Sequence, residues 1–264
     1  MRVLLIRPFI DLQSNEVPLV LYEPLGLEYL AAMADKEHVV QIYDCLSEKP
    51  NKFIKNDYLY RIGANLNDIR EKILNFKPEA VGISALFFSQ APAIAEITKL
   101  IKELYPQIFT VIGGSYPSAF KEEVFKNDPN LDIVVIGEGE YVFADLLNNF
   151  WNLDKVKGII YKSGNKIISN PPGNPILNLD SLPFPRRSLV KMQTYSRFAG
   201  PKENKRAIIK DFILRTPFLN KVYYKVNDRL GKNTRYPIAS IITSRSCPNQ
   251  CTFCAIHNLW GHKY

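Results

Sequence analysis

The first 150 residues alternate short apolar runs with amphipathic stretches, and this alternation sets the predicted fold. The apolar runs predict five strands, over Val3–Ile6, Val39–Tyr43, Ala80–Leu86, Phe109–Ile112 and Ile133–Ile136. Apolar residues at helical spacing predict five helices, over Gly26–Lys36, Leu66–Phe76, Ala91–Tyr105, Ser118–Lys126 and Tyr141–Trp151. Strands that are apolar throughout are typical of a parallel sheet with helices on both faces. We therefore predict an α/β fold with a flavodoxin- or Rossmann-like doubly wound parallel sheet.

The pattern changes after residue 152. Two short segments around Gly164 predict a β-hairpin, and a proline-rich stretch from Pro171 to Pro185 predicts a linker. Residues 204–230 carry apolar and basic side chains at helical spacing, and Ile238–Thr243 predicts one more strand. We predict three regions: a Rossmann-like domain over 1–152, a connector over 153–237 and the start of a further domain over 238–264.

Glycines and small polar residues follow three of the predicted strands. They form the segments Gly82–Phe87, Gly113–Pro117 and Gly137–Glu140. Glycine lets a ligand approach the backbone closely, and doubly wound sheets bind ligands beyond the carboxyl ends of their strands. We therefore predict a ligand crevice at this edge. No G-x-G-x-x-G follows the first strand and no P-loop is present, which argues against a dinucleotide or a nucleoside triphosphate.

Composition and charge bear on the cellular compartment of the protein and on what its basic segment contacts. The chain is 46% hydrophobic, and it has no apolar run near the eighteen residues of a membrane span and no recognisable signal peptide, so we expect it in the cytoplasm. The net charge of +8 comes from residues 186–235, which hold fourteen Lys or Arg against three Asp or Glu. This segment fits a solvated helical connector, a contact with anionic lipid or a lipid-borne substrate, or an RNA contact.

Three clustered cysteines carry the chemistry of the chain. Cys247, Cys251 and Cys254 have the spacing C-x3-C-x2-C directly after the last predicted strand. Thiolates are the usual ligands of iron–sulfur clusters, and three of them leave one iron of a four-iron cluster open. A structural zinc site completed by His257 and His262 is the alternative. Cys45 stands apart at a strand end and is expected to be a half-buried small hydrophobic residue.

This cysteine motif, with Phe253 before its last cysteine, resembles the signature of the radical S-adenosylmethionine (SAM) superfamily. The resemblance implies that Cys247, Cys251 and Cys254 bind a 4Fe-4S cluster, that SAM binds the open iron and that Phe253 packs near the cluster and the adenosyl group. In that family the cluster cleaves SAM reductively to a 5′-deoxyadenosyl radical. Only the first strand and the cluster loop of the family's β/α barrel are present. We therefore expect an N-terminal fragment of a longer protein that is inactive by itself.

Residues 1–150 are similar to the cobalamin-binding domain that precedes many radical SAM domains. The similarity rests on the segment Pro24–Ala31 and on the strand-end segments above. It implies that the corrin face or the slot for the nucleotide tail is lined by Ser84, Leu86, Gly113, Gly114, Ser115, Gly137 and Gly139. The Asp-x-His-x-x-Gly motif, whose histidine binds cobalt in mutases, is missing from Pro8–Asn15, so we expect cobalamin without a lower axial histidine. A flavodoxin-like module without cobalamin is the alternative.

Together these resemblances imply a cobalamin-dependent radical SAM enzyme that transfers a methyl group to, or rearranges, an unactivated carbon. A non-catalytic corrinoid- or cluster-binding module is the alternative from another class. A methylthiotransferase would need further cluster cysteines, and only Cys45 is available. The expected partners are a small-molecule or lipid-like substrate and an electron donor such as a flavodoxin or ferredoxin, with a peripheral membrane contact through 186–235 as an option. There is no firm nucleic-acid signal.

Overall fold

The computed structural model describes residues 1–13, 21–34, 38–50, 52–56, 59–198, 216, 218–219, 222, 239–254 and 256–261. The chain divides into two compact units. The first unit contains Met1–Asn15, Pro24–Val190 and Ile241–Tyr264, and the second contains Glu16–Glu23 and Lys191–Ser240. Among the described residues, no helix is long and apolar enough to cross a membrane.

The described residues form strands, α-helices and short 3₁₀ turns. The strands are β1 (Arg2–Arg7), β2 (Ile10–Leu12), β3 (Val39–Asp44), β4 (Lys52–Asn56), β5 (Leu59–Ile62), β6 (Ala80–Ser84), β7 (Phe109–Gly113), β8 (Ile133–Val135), β9 (Ile159–Ser163) and β10 (Lys166–Ser169). The helices are α1 (Leu25–Met33), α2 (Cys45–Glu48), α3 (Leu66–Phe76), α4 (Ala91–Leu104), α5 (Ser115–Phe120), α6 (Val124–Asn127), α7 (Gly139–Asn148), α8 (Met192–Phe198) and α9 (Ile256–Trp260). The 3₁₀ turns are Phe88–Gln90, Lys121–Glu123, Leu153–Lys155, Leu179–Ser181 and Arg187–Leu189.

A seven-stranded sheet in the order β10-β9-β8-β7-β6-β1-β3 forms the centre of the first unit. Its five strands from β8 to β3 are parallel, and in chain order they read 2-1-3-4-5, which is the flavodoxin-like arrangement. This confirms the predicted α/β fold with a doubly wound parallel sheet. The predicted hairpin is β9 and β10, and it extends the same sheet by antiparallel pairing of β9 with β8. The domain limits at residues 152 and 237 remain predictions.

The two faces of this sheet carry differently organised cores. Leu4 and Ile6 of β1 point to the face covered by α3 and α4, where one continuous apolar cluster runs from α3 to β8. Val3 and Leu5 point to the face covered by α1 and α7, where the apolar residues divide into two clusters. We call these the packed face and the slot face. Alternation along each strand produces both faces, because successive side chains point to opposite sides.

A second sheet, which the hydrophobic pattern did not predict, has the order β2-β5-β4 with antiparallel pairing. Its central strand buries Arg61, whose guanidinium lies 3.5 Å from the centre of the Phe9 ring. The Arg61 Nε and Nη2 atoms donate to Asp11 at 2.7 Å, and Nη2 also donates to Glu96 at 2.8 Å. A buried arginine that is paired in this way breaks the apolar alternation by which such strands are recognised.

Two predicted elements differ from the structure. The predicted helix Ser118–Lys126 is divided among α5, a 3₁₀ turn and α6, with Lys121 at a φ of 49° between them. The predicted strand Ile238–Thr243 is wrong over its described residues 239–243, which have no regular structure, and Ile241 is 75% exposed. A strand needs a hydrogen-bonded neighbour, and no strand of the described residues pairs with this segment.

In the second unit, the described residues include α8 and a hydrogen bond from the Ser240 amide to the Glu23 carboxylate. The predicted amphipathic helical segment 204–230 lies outside the described residues, except for residues 216, 218–219 and 222.

Candidate functional site

The carboxyl ends of β6, β7 and β8 meet at one edge of the parallel sheet. A cavity of about 200 Å³ opens there and runs between the slot face and helices α1 and α7. Its strand-borne lining includes Val3, Leu5, Gly82, Ser84, Val111 and Gly113. Its helix-borne lining includes Leu27, Leu30, Phe143 and Leu147. We call this cavity the slot, and apolar groups make up most of its wall.

The sequence of β6 explains why the slot exists. Ala80, Gly82 and Ser84 alternate with Val81 and Ile83, so the small side chains share one face of the strand and the large ones share the other. Val81 and Ile83 belong to the continuous core of the packed face. On the slot face, a Cβ added to Gly82 would lie 2.8 Å from the Leu5 Cδ2 atom. Because β6 presents only small side chains on this face, the Leu5 side chain lies close against Gly82, and Leu5, Gly82 and Ser84 all line the slot.

The glycine after β7 is required by the backbone. Gly114 has a φ of 125°, and a Cβ there would lie 2.5 Å from the Ala85 carbonyl oxygen. This close approach lets the Tyr116 amide donate to the same oxygen at 3.1 Å. The Ser115 hydroxyl donates to the Leu86 carbonyl oxygen, so the ends of β6 and β7 are tied together. Glycine is the residue that accepts such a conformation without strain.

The loop after β6 presents large apolar side chains at the rim of the slot. Leu86, Phe87 and Phe88 are 47%, 65% and 59% exposed, and Phe88 stacks on Phe120 with ring centres 5.3 Å apart. The buried Gln90 side chain fixes this loop, because its Oε1 atom accepts from the Leu86 amide at 2.9 Å and the Phe87 amide at 3.0 Å. Exposed apolar groups held in a fixed conformation are typical of a surface that covers a ligand or partner.

Six of the predicted cofactor residues line the slot, namely Ser84, Leu86, Gly113, Gly114, Gly137 and Gly139. Ser115 lies beside it and acts through Leu86. Phe253 is 90% exposed and lies outside the slot lining. The structure thus brings the glycine-rich strand ends together as the sequence predicts. That they contact a cofactor remains a prediction.

Residues near the cysteine motif complete the slot, and the sequence did not predict this. Its lining includes Ile242, Arg245, Leu259 and Trp260. The Arg245 Nη1 atom donates to Glu138 at 2.7 Å, and its Nη2 atom donates to Glu140. Burial alone would lower the pKa of Arg245, but the hydrogen bonds and charges of Glu140 and Glu138 outweigh burial and raise it. This buried ion pair between the segment Gly137–Glu140 and the cysteine region cannot be recognised from the sequence, because 107 residues separate Glu138 from Arg245.

The cysteine loop is exposed and held by backbone contacts. Cys247 is partly exposed, whereas Cys251 and Cys254 are exposed, and the Cys254 amide donates to the Cys251 carbonyl oxygen at 3.1 Å. In the part of the chain that the structure describes, no three Cys, His, Asp or Glu side chains form a ready metal site. Three thiols on one short loop still match the donor chemistry of an iron–sulfur cluster, and metal ligands commonly take their final geometry only on binding.

His257 fastens this loop to α9. Its Nε2 atom lies 2.8 Å from the Asn249 carbonyl oxygen and its Nδ1 atom 3.0 Å from the Gly261 carbonyl oxygen. The bonds to Gly261 and Asn249 raise the pKa of His257 above its ordinary value. Both ring nitrogens thus face carbonyl oxygens, and His262, the other histidine of the zinc alternative, lies outside the described residues.

The remaining candidate ligands lie away from the slot. His38 precedes β3 at the amino-terminal edge of the sheet, where its Nδ1 atom is 3.2 Å from the Met1 amine. Cys45 is fully buried rather than half-buried as predicted, and burial raises the pKa of its thiol well above the ordinary value.

Comparison with known proteins shows what the first domain is similar to. Residues 17–147 match the family model of the B12 binding domain. This match confirms the resemblance to a cobalamin-binding domain that Pro24–Ala31 and the strand-end glycines predict.

The whole chain is similar to larger proteins of related type. It is 29% identical to the cytidylyl-2-hydroxyethylphosphonate methyltransferase of Streptomyces wedmorensis, over 99% of this chain and 49% of that protein. It is 28% identical to an uncharacterised methyltransferase of Pyrococcus horikoshii, over 100% of this chain and 47% of that protein. The chain thus spans about half the length of these curated relatives.

A solved structure has the same fold. The radical S-adenosylmethionine methyltransferase TsrM from Kitasatospora setae, determined with cobalamin and a [4Fe-4S] cluster bound, matches with a TM-score of 0.58 and 16% identity. The match covers 100% of this chain and 42% of that protein. At this identity the likeness is evidence for the fold.

Proposed function

We propose that this chain is the cofactor-binding part of a cobalamin-dependent radical SAM enzyme that transfers a methyl group to an unactivated carbon. One observation carries the proposal: an apolar slot opens at the glycine-lined edge of a B12-family sheet, and residues next to a C-x3-C-x2-C motif complete its wall. Ring or bond rearrangement is the second reaction type. It is favoured by a similarity to an anaerobic magnesium-protoporphyrin IX monomethyl ester cyclase of Synechocystis sp., with 24% identity over 99% of this chain and 43% of that protein.

The slot suits the nucleotide tail of cobalamin. An apolar cavity of about 150 Å³ holds a benzene molecule, so the somewhat larger slot has room for a bicyclic aromatic base. Gly113, Gly114 and Gly137 would let the rest of the tail lie against the backbone at the sheet edge. The exposed Leu86 and Phe87 would then lose their contact with water under the apolar face of the corrin ring.

The cysteine loop would hold the second cofactor. Cys247, Cys251 and Cys254 would bind a 4Fe-4S cluster, and Phe253 would pack beside it. The cluster and SAM supply radical chemistry, and cobalamin supplies methyl-group transfer; the protein places and shields them. This chain's own contribution is to bury the tail, fix the rim through Gln90 and hold the loop through His257.

The substrate and the partners belong to the same proposal. A small-molecule or lipid-like substrate and a flavodoxin- or ferredoxin-type electron donor fit the chemistry. The basic segment 186–235 offers a contact for an anionic lipid or a lipid-borne substrate. We propose a cytoplasmic setting, because iron–sulfur chemistry with free thiols requires a reducing compartment.

Anaerobic reconstitution with iron, sulfide and hydroxocobalamin tests this proposal by absorption and EPR spectra. We expect near-stoichiometric corrinoid together with a cluster signal that Cys251→Ala removes. Cys45→Ala is the matched control, and it should keep the cluster because Cys45 is buried away from the loop. Bound zinc, or no metal, would contradict the cluster. A protein that carries the whole catalytic domain distinguishes the two alternatives. An enzyme should cleave SAM reductively, whereas a non-catalytic binding module should not.

A further inference from the structure

Arg245 joins the two regions to which the cofactors are assigned. It lies two residues before Cys247, and its guanidinium bonds to Glu138 and Glu140 in the segment that follows β8. Glu138 also accepts a hydrogen bond from the Ile176 amide at 2.6 Å. One charged cluster therefore connects the cysteine region, the slot rim and the proline-rich linker.

The charged side chains of this cluster are buried, so they must remain paired with one another. The side chains of Arg245, Glu138 and Glu140 are 10%, 7% and 9% exposed. Charges removed from water to this extent are tolerated only when they are paired, so the arrangement resists separation of its members. The Arg245 Nε atom is buried without a hydrogen-bond partner, and Arg245 lines the slot. That N–H group is available to an acceptor on a molecule in the slot, such as an oxygen atom of the nucleotide tail of cobalamin.

The helix that follows the cysteines lies on the same side. Leu259 and Trp260 of α9 line the slot, and a Cβ added to Gly137 would lie 3.4 Å from the Leu259 carbonyl oxygen. The Ser246 hydroxyl donates to the Gly261 carbonyl oxygen at 2.8 Å, so the start of the cysteine loop and the end of α9 are tied together. A ligand in the slot therefore contacts residues from both ends of the cysteine loop.

We propose that Arg245 is a positioning residue that couples cobalamin binding in the slot to cluster binding on the cysteine loop. This inference rests on the proposed function. Cobalamin would contact Arg245, Leu259 and Trp260, and the cluster would order the loop between them. Whichever cofactor binds first lowers the ordering cost for the other, and the coupling is reciprocal. Glu138 and Glu140 transmit this effect because they fix Arg245 to the slot rim.

Tryptophan fluorescence provides a direct readout of this coupling. The chain has two tryptophans, and Trp151, which follows α7, is 85% exposed, so Trp151→Phe leaves Trp260 as the reporter in the slot wall. Hydroxocobalamin is titrated anaerobically into this protein without iron, and into the same protein reconstituted with iron and sulfide. Quenching of Trp260 gives two dissociation constants, and their ratio measures the coupling. We expect the reconstituted protein to bind about fivefold or more tightly.

Arg245→Met should bring this ratio close to one while both forms still bind hydroxocobalamin. Because Arg245→Met leaves two buried carboxylates unpaired, the neutral triple variant Arg245→Met, Glu138→Gln, Glu140→Gln provides the test if the single variant does not fold. Loss of the exposed pair Lys99–Glu103 through Lys99→Met and Glu103→Gln is the matched control and should keep the wild-type ratio. Protection of the cluster from a chelator by hydroxocobalamin should be lost in the same variants.

The outcomes separate this inference from the proposed function. If the wild-type chain does not bind hydroxocobalamin, the proposed function and the coupling both fail. If it binds cobalamin and a cluster but the two affinities are independent, or if Arg245→Met and the triple variant keep the wild-type ratio, only the coupling fails.

Discussion

On the packed face of the central sheet, side chains of β1, β6 and β7 form one continuous core with α3 and α4. On the slot face, the same strands pack against α1 and α7 through two separate clusters with a cavity of about 200 Å³ nearby. A single strand shows the difference, because β6 presents Val81 and Ile83 to one face and Ala80, Gly82 and Ser84 to the other. One face is filled by a continuous core, and the other contains a cavity, so its packing is less complete.

The largest difference should appear when a large side chain is shortened on each face. Ile97 of α4 is fully buried in the continuous core, so Ile97→Ala should lower the free energy of unfolding by about 2–5 kcal/mol. Leu30 of α1 already borders the slot, so Leu30→Ala should cost less than about 2 kcal/mol because little new cavity is made. Urea unfolding measures both values, and equal losses would contradict the distinction between the faces.

Adding volume to the slot face should change ligand affinity, whereas adding volume to the packed face should change only stability. Gly82→Val fills the slot, and we expect it to weaken hydroxocobalamin binding about tenfold or more, close to 1.4 kcal/mol. The fold should survive, since the displaced atom is the flexible end of Leu5. Val81→Ile, the matched control on the other face of β6, should destabilise the fold by about 1–3 kcal/mol and leave the affinity unchanged. Equilibrium dialysis and urea unfolding distinguish these results, and unaltered affinity in Gly82→Val would exclude the slot as the site.

A smaller effect tests whether the stability of the packed face is independent of the ligand. The Asn65 side chain caps α3 by accepting from the Asp68 amide, and the Asp68 side chain accepts from the Asn65 amide. Asn65→Ala should therefore lower the free energy of unfolding by about 1 kcal/mol, whereas Asn65→Ser should retain most of it. Hydroxocobalamin affinity should be the same in all three proteins. A change in affinity would show that the two faces are not independent.

The smallest effect concerns pH at the cysteine loop. Because its bonds to Gly261 and Asn249 raise the pKa of His257, the protonated ring stabilises the folded loop. This contribution is complete below the ordinary histidine value near 6.5 and is lost as pH rises through the higher folded value. Trp260 fluorescence in the Trp151→Phe protein should follow this transition, and His257→Gln should abolish it. A histidine NMR titration that places His257 below 6.5 would contradict the account.

Much of the fold was accessible from sequence, because each parallel strand is a continuous apolar run that only a two-sided core can bury. Gly113, Gly114 and Gly137 also predicted the edge of the sheet at which the slot opens. Backbone positions that require glycine can be recognised directly in a sequence. The depth of the slot was missed, although the small residues at 80, 82 and 84 could have indicated it. The second sheet was not predicted because Arg61 interrupts the apolar alternation of its central strand.

The remaining features were not predicted because they depend on contacts between residues that are distant in the sequence. The bonds of Arg245 to Glu138 and Glu140 depend on the folded chain, and charged residues in loops usually predict only a solvated surface. The strand expected at Ile238–Thr243 was read from its apolar character alone. Apolar character permits a strand, but a neighbouring strand is needed to form one.

If the slot receives the nucleotide tail of cobalamin, as we propose, a corrinoid without this tail should bind more weakly. Hydroxocobalamin and cobinamide share the corrin ring, but cobinamide lacks the tail and its base. Equilibrium dialysis of both against the chain should show that hydroxocobalamin binds at least about tenfold more tightly, and that Gly82→Val removes most of this preference. Equal affinities for the two corrinoids in the wild-type chain would contradict the account.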